Sequence, residues 1–426
     1  MPMRYYTAKC LLKFYKKTIQ WNTEMECPVC GTLMNTVCDL EQRDFDGSVF
    51  NFIGCVFTCT NCGMVRVKTG LTDKSIAEYY DTSCMYSCLS GVGVGGSSPE
   101  DMFRYRYYEK FMSDAGVLIG NIADIGCSRG GYLKYLATRY GEAQNRFQLT
   151  GVDCDRTSLK QLADAGLNAL PGDVADLPLK SASYDVISYF HVLEHVYDID
   201  RVLSEAFRVL RPGGSLFIEV PDAEAYGAAE CRVGVMFWVG IKEHVNHFSL
   251  SALKLLCERN GFGVTRIARS ALPMKSEHMY PSLIVLATKG DLSIVRDSVV
   301  SDRISSYFLS EVRQVKSLVE QIAKQIGENA TVSIWGMGVE FFSIYPYLSV
   351  LIQKSLLQLI DSNPFKVGQT VDGLVVVHPD DAVHSDWLIC CSYMSNREIY
   401  SAAQKYGWPE ERIIDIAQLT SDSGYC

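Results

Sequence analysis

From Asn121 onward, short apolar runs alternate with amphipathic stretches, and this alternation restricts the middle of the chain to a parallel sheet flanked by helices. Strands are expected at residues 122–125, 147–152, 184–190 and 215–220. Helices are expected at 131–140, at 158–164, and through Leu203, Ala206, Phe207 and Leu210, which recur at helical spacing. Arg211-Pro212-Gly213-Gly214 breaks that last helix ahead of the next strand. A helix at 251–260 and a run at 283–288 complete an α/β doubly wound unit. With 426 residues the chain exceeds one hydrophobic core and calls for two or three modules.

Inside that unit, Asp124-Ile125-Gly126-Cys127-Ser128-Arg129-Gly130-Gly131 follows a strand and opens a helix, the setting in which a glycine turn lets a ligand approach the backbone. Ser128 stands where a dinucleotide fingerprint has its middle glycine, which weakens a NAD reading more than one with S-adenosylmethionine (SAM). The second strand ends at Asp153, placed to accept hydrogen bonds from two ribose hydroxyls. Asp173, in Gly172-Asp173-Val174, is placed to accept from an adenine amino group.

Ahead of this unit stand two C-x-x-C pairs, Cys27/Cys30 and Cys59/Cys62, each followed by glycine. Thiolates at i and i+3 reach one metal from a single turn, and two such turns supply a tetrahedral zinc site. Iron also takes four thiolates, but a closed structural zinc is the commoner occupant. Of the 16 cysteines, Cys38, Cys55, Cys84 and Cys88 read as core or loop thiols. The Gly/Ser-rich stretch 90–99 reads as a mobile connector or lid. Residues 294–326 carry helical periodicity, and a second α/β module opens at 331 with Trp335-Gly336-Met337-Gly338. That loop lacks a third glycine, so bound NAD is not expected there. The resulting division is 1–89 (zinc ribbon), 90–290 (cofactor domain), 291–330 (helical connection) and 331–426 (closing Rossmann-like domain).

A net charge of −9 argues against binding nucleic acid through phosphate neutralisation. No apolar run approaches the ~20 residues of a membrane span, so no membrane partner is expected. Lysines interrupt every apolar stretch of the first twenty residues, leaving no signal-peptide core, so the protein is expected in the cytoplasm.

The order Asp-Ile-Gly-Cys, Gly-Val-Asp, Gly-Asp-Val-Ala-Asp-Leu-Pro, Tyr-Asp-Val-Ile-Ser-Tyr-Phe-His-Val-Leu-Glu-His-Val and Arg-Val-Leu-Arg-Pro-Gly-Gly resembles the class I SAM-dependent methyltransferases over residues 100–290. The resemblance implies that Asp124, Gly126, Ser128 and Gly130 shape the methionine side of the pocket. It further implies that Asp153 holds the ribose, that Asp173 and Val174 meet the adenine, and that His191 lies beside the cofactor. Taken with the ribbon, the segment Lys242-Glu243-His244-Val245-Asn246-His247-Phe248-Ser249 and the closing domain, the whole chain resembles the three-domain C-methyltransferases of nucleotide-linked deoxysugars. That likeness implies a small-molecule, nucleotide-sugar acceptor, with His244 as general base, Glu243 as its carboxylate and His195 near the reacting centre. Ile241 stands where the family has a tyrosine, and Tyr79 or Tyr80 lies near its N-terminal substrate tyrosine. Methylation of an oxygen or nitrogen stays open. A non-catalytic SAM-binding scaffold is disfavoured by the joint presence of Asp124, Asp153, Glu243 and His244.

Overall fold

A computed structural model describes residues 24–71, 79, 95–141, 147–274, 278–290, 302–327, 330–353 and 355–422. The first twenty residues, Tyr80, Cys84, Cys88, residues 90–94 of the Gly/Ser stretch and the start of the expected helical connection lie outside the described residues.

The first sheet holds β1 (Asn35–Gln42), β2 (Phe52–Thr58) and β3 (Val65–Lys68), all antiparallel, with a cysteine turn before β1 and another between β2 and β3. The second is built from β4 (Gly120–Ile125), β5 (Phe147–Asp153), β6 (Asn168–Pro171), β7 (Tyr184–Phe190) and β8 (Leu210–Pro221). After β8 the two-residue β9 (Asn246–His247) leaves this domain and pairs with β3, adding a fourth strand to the first sheet. The hairpin β10 (Phe262–Pro273) and β11 (Met279–Lys289) then rejoins the second sheet, whose order is β10-β11-β8-β7-β4-β5-β6. Its central strands run parallel and β11 runs antiparallel to β8, the mixed Rossmann-like arrangement of the expected class.

The connecting helices are α1 (Pro99–Asp114), α2 (Gly131–Tyr140), α3 (Arg156–Ala163), α4 (Ile199–Val209) and α5 (Leu250–Arg259). In α4, Asp198 caps the amide of Arg201, and Ile199, Val202, Leu203, Ala206 and Val209 form the buried stripe. Arg211-Pro212-Gly213-Gly214 ends that helix as expected, yet the chain stays extended there. The tetrapeptide bulges out of β8, whose register jumps from Leu210 opposite Tyr184 to Ser215 opposite Val186. Helix α1 was not anticipated, although Ser98 and Asp101 form a capping box with Pro99 at its first turn.

The expected helical connection holds α6 (Arg303–Ile326), and the closing domain follows with β12 (Val332–Trp335), α7 (Val339–Ile352), β13 (Leu356–Ile360), β14 (Thr370–Val371), β15 (Leu374–Val377), β16 (Trp387–Cys390), α8 (Asn396–Lys405), β17 (Ile413–Asp415) and α9 (Ile416–Asp422). Its sheet order is β14-β15-β13-β12-β16-β17, parallel apart from β14.

The first sheet is wedged between the other two domains, because alternate residues of a strand face opposite ways. Leu40, Val56, Val65 and Val67 join the core containing Trp238, Phe308 and Phe341. Cys55, Phe57 and Met64 join the core containing Leu203, Phe248 and Leu253.

Candidate active site

The glycine turn after β4 has the geometry its residues demand. Gly126 and Gly130 adopt φ of 71° and 68°, where a side chain is strained, and a Cβ on Gly126 would lie 2.6 Å from Val192 Cγ2. The turn therefore abuts the loop that follows β7. Ser128 N and Asp155 N donate to the two carboxylate oxygens of Asp153 at 2.7 and 2.8 Å. A carboxylate has roughly four lone-pair sites, so about two remain for a diol. Burial raises the Asp153 pKa while these amides pull it back. Gly172 N donates to the backbone oxygen of Asp153 (3.0 Å), so the turn bearing exposed Asp173 and half-buried Val174 starts from that acid. Burial lifts the Asp124 carboxyl to about 7, with Ser188 Oγ at 2.9 Å opposing the shift and Asp153 adding to it. The end of the Gly/Ser stretch packs on this turn: Tyr105 Oη donates to Gly96 O (3.0 Å), and a Cβ on Gly131 would meet Tyr105 Oη and the carbonyls of Gly95 and Gly96.

The two histidine segments are tied together by backbone and amide bonds. Val245 N donates to Glu194 O (2.9 Å), and Asn246 Nδ2 donates to Leu193 O (2.8 Å) and Val196 O (2.5 Å). Arg66 on β3 adds a bond to Tyr197 O (2.9 Å). This clamp sets the rings of His195 and His244 4.8 Å apart, nearly perpendicular at 80°. His244 is buried, its Nδ1 has no hydrogen-bond partner among the described residues, and burial together with His195, His247 and His191 holds its pKa well below the ordinary range. His247 is a neutral packing residue: burial lowers it to about 3, Tyr226 Oη lies 3.0 Å from its Nδ1, and its ring meets Phe308 of α6.

His191, expected beside the cofactor, is bound into a set of charged and aromatic side chains. Its Nε2 lies 3.1 Å from Glu219 Oε2, and its Nδ1 lies 3.0 Å from Tyr280 Oη and 3.4 Å from Glu194 Oε1. Burial alone would lower its pKa, but Glu219 and Glu194 outweigh this and hold it at about 9. Glu219 is pulled the other way, down to about 2 against its burial, by His191, Arg104 and Ser282. Arg104 Nη1 stands 3.1 Å from His191 Nε2 and 3.9 Å from Glu219 Oε1, two donors that share one carboxylate. Arg104, Glu219 and Glu194 were not anticipated. Glu219 had a signal, as a lone charge in the apolar run of β8, whereas Arg104 sits on the unexpected α1.

Glu243, the carboxylate that the Glu-His likeness singles out, directly precedes His244. It accepts a hydrogen bond from Tyr79 Oη at 3.0 Å, which brings the N-terminal tyrosine to this segment. The carboxylate grouped with the histidines is Glu194: donor atoms of Glu194, His195 and His244 all lie within 4.8 Å of one another.

The four cysteines of the paired turns converge likewise, with all sulfurs within 4.8 Å. Cys27 and Cys62 are 3.6 Å apart and Cys30 and Cys59 are 3.4 Å apart, too far for disulfides. These spacings are close to the edge of about 3.8 Å that bonds of about 2.3 Å impose on a sulfur tetrahedron. The turns match each other: Gly31 N donates to Cys27 O and Gly63 N to Cys59 O, both at 2.9 Å. Each is also fastened to α5, one through Arg259 Nη1 to Val29 O (2.8 Å), the other through Ser249 Oγ to Cys62 O (2.7 Å).

The middle of the chain is similar to known proteins. Residues 123–218 match the family described as "Methyltransferase domain". The chain is 30% identical to a fatty-acid O-methyltransferase of Mycolicibacterium smegmatis over 130 residues, which is 29% of this chain and 46% of that protein. It is 32% identical to the 27-O-demethylrifamycin SV methyltransferase of Amycolatopsis mediterranei over 153 residues, 31% of this chain and 53% of that one. A SAM-dependent methyltransferase from Methanosarcina mazei of known structure aligns with 40% of this chain and 92% of its own at 19% identity, with a TM-score of 0.34. The chain thus spans about half, or less, of the length of these curated relatives. It carries a class I SAM-dependent methyltransferase domain, with a four-cysteine module ahead of it and a second Rossmann-like domain behind.

Proposed function

We propose that this protein transfers the methyl group of SAM to a carbon of a small molecule, a nucleotide-linked ketosugar, with His244 as general base. The observation that supports this reading is the clamped His195–His244 pair, set beside a loop that abuts the Gly126 turn. Asp124, Gly126, Ser128 and Gly130 line the methionine side, Asp153 takes the ribose, and Asp173 with Val174 takes the adenine. His191, as an imidazolium, holds the floor of the site in place. When bound, SAM supplies an electrophilic methyl carbon, so the protein must orient the acceptor and remove one proton. His244 accepts that proton from the acceptor carbon. The electron pair left behind forms the new carbon–carbon bond as the carbon–sulfur bond breaks, and the proton passes later to solvent. His195 positions the acceptor or holds its developing negative charge, and Glu243 with Tyr79 lines the acceptor side. Cys27, Cys30, Cys59 and Cys62 hold a structural zinc. The modules divide at 1–89, 90–290, 291–330 and 331–426, with the last closing over the acceptor.

In the closing domain, Asp361 repeats the Asp153 pattern, accepting from Met337 N and Asn363 N at 2.8 Å each. Glu340, in the first turn of α7, accepts from Tyr393 N at 3.0 Å, and its other carboxylate oxygen lies 2.7 Å from where a Cβ on Gly338 would stand, crowding that glycine turn. That supports a role other than dinucleotide binding.

The test is incubation with SAM and nucleoside-diphosphate-linked keto-deoxysugars, read by intact mass for the gain of one methyl group. His244→Ala is expected to slow turnover about 100- to 10,000-fold with SAM affinity nearly unchanged by calorimetry. Turnover of that variant at the wild-type rate would sink the base assignment.

A further inference from the structure

We propose that Glu194, and not Glu243, is the carboxylate that serves the His195–His244 pair, as a positioning residue that stabilises the imidazolium formed when His244 takes the acceptor's proton. This rests on His244 being the base. Glu194 is fully buried, and among the described residues neither of its carboxylate oxygens accepts a hydrogen bond of good geometry. One of them, Oε1, lies 3.4 Å from His191 Nδ1, near enough to favour that ring's protonated form. A carboxylate buried this deeply is costly unless charge nearby compensates it. Its neighbours from each surrounding segment are His191 and His195 of its own loop, His244 of the clamped segment, Tyr226 after β8 and Tyr280 of β11. His244 in turn faces His195, His247 and His191. Among the described residues, Glu194 is the carboxylate grouped with His195 and His244, all within 4.8 Å. Glu243 is engaged by Tyr79 instead.

Charge counting shows what the carboxylate does. Arg104 and protonated His191 face Glu219 and Glu194, so this buried set is neutral while His244 is neutral. Without Glu194 the same set would present a net positive charge to His244 at the moment it must become positive itself. At a separation near 5 Å in a partly desolvated site, one unit charge is worth more than one unit of pKa. Removing it therefore makes His244 a weaker base, harder to protonate and slower to take a proton.

The experiment is the pH dependence of kcat/KM for methyl transfer to a nucleoside-diphosphate-linked keto-deoxysugar by the full chain. Wild type, Glu194→Gln, Glu194→Asp and Glu243→Gln are compared, with SAM affinity measured in each. Glu194→Gln is expected to lower kcat about 10- to 100-fold, to leave the acceptor KM and SAM affinity within about twofold, and to move the acid limb of the profile down by about one unit. Glu194→Asp, which keeps the charge, restores the acid limb toward that of wild type even if packing slows it. Glu243→Gln keeps the wild-type limb. An acid limb unmoved in Glu194→Gln, or moved equally by Glu243→Gln, overturns the proposal. So does activity that EDTA abolishes and added Mg²⁺ restores, since the three side chains would then serve a cation. Wild-type turnover in His244→Ala removes the base reading itself, a failure distinguishable from the loss of Glu194's part alone.

Discussion

At the scale of single residues, Arg104, His191 and Glu219 are a matched set of charges, and they make stability depend on pH from both sides. His191 is held at about 9, above its ordinary 6.5, so its contribution is complete below about pH 6.5 and is lost as pH rises through 9. Glu219 is held at about 2, below its ordinary 4.5, so its contribution is complete above about pH 4.5 and is lost as pH falls toward 2. Urea unfolding of wild type and His191→Gln should differ most near pH 6 and converge as pH approaches 9. A gap that stays constant from pH 6 to 9 would refute the assignment. Asp124, Asp153 and the cysteine quartet were legible because spacing along the chain dictates their geometry. The Arg104–His191–Glu219–Glu194 set was not, because its members come from a helix, two strand ends and a loop that only the folded sheet brings together.

At the scale of elements, the central strands and α2 were readable because apolar periodicity is a local signal. The edge hairpin was half missed. β10 carries Thr265, Arg266, Arg269 and Ser270 among its residues and alternates half-buried with exposed positions, so it offers no apolar run. α5 shows a different limit. Its span was anticipated, but not that Ser249 both caps Ala252 N (3.0 Å) and donates to Cys62 O across the ribbon. Ser249→Ala loses a cap and a buried bond at once and leaves Cys62 O without its donor. It should cost about 1 to 2 kcal/mol by urea denaturation. An unchanged midpoint would show that the helix and the cysteine turn are energetically independent.

At the scale of the whole molecule, the cysteine module is knit into the segment that carries His244 and His247 rather than appended to it. β9, which follows His244 by two residues, pairs with β3, and both cysteine turns grip α5. Metal analysis of the purified chain should find one zinc per molecule. Its removal by a strong chelator should lower Tm by at least about 5 °C and stop methyl transfer together, while Cys59→Ser should reproduce both effects. Loss of zinc with activity intact would detach the ribbon from the site.

The same borrowed strand also sets an order of events during synthesis. Cys62 leaves the ribosome 187 positions before the serine that bonds to it, and β3 emerges long before β9. At roughly 5 to 20 residues per second, the edge of the nascent ribbon waits on the order of ten to forty seconds for its partner. During that interval an unpaired strand edge is exposed, and early metal capture by the two cysteine turns would hold the newborn segment in shape until the strand that completes it is made.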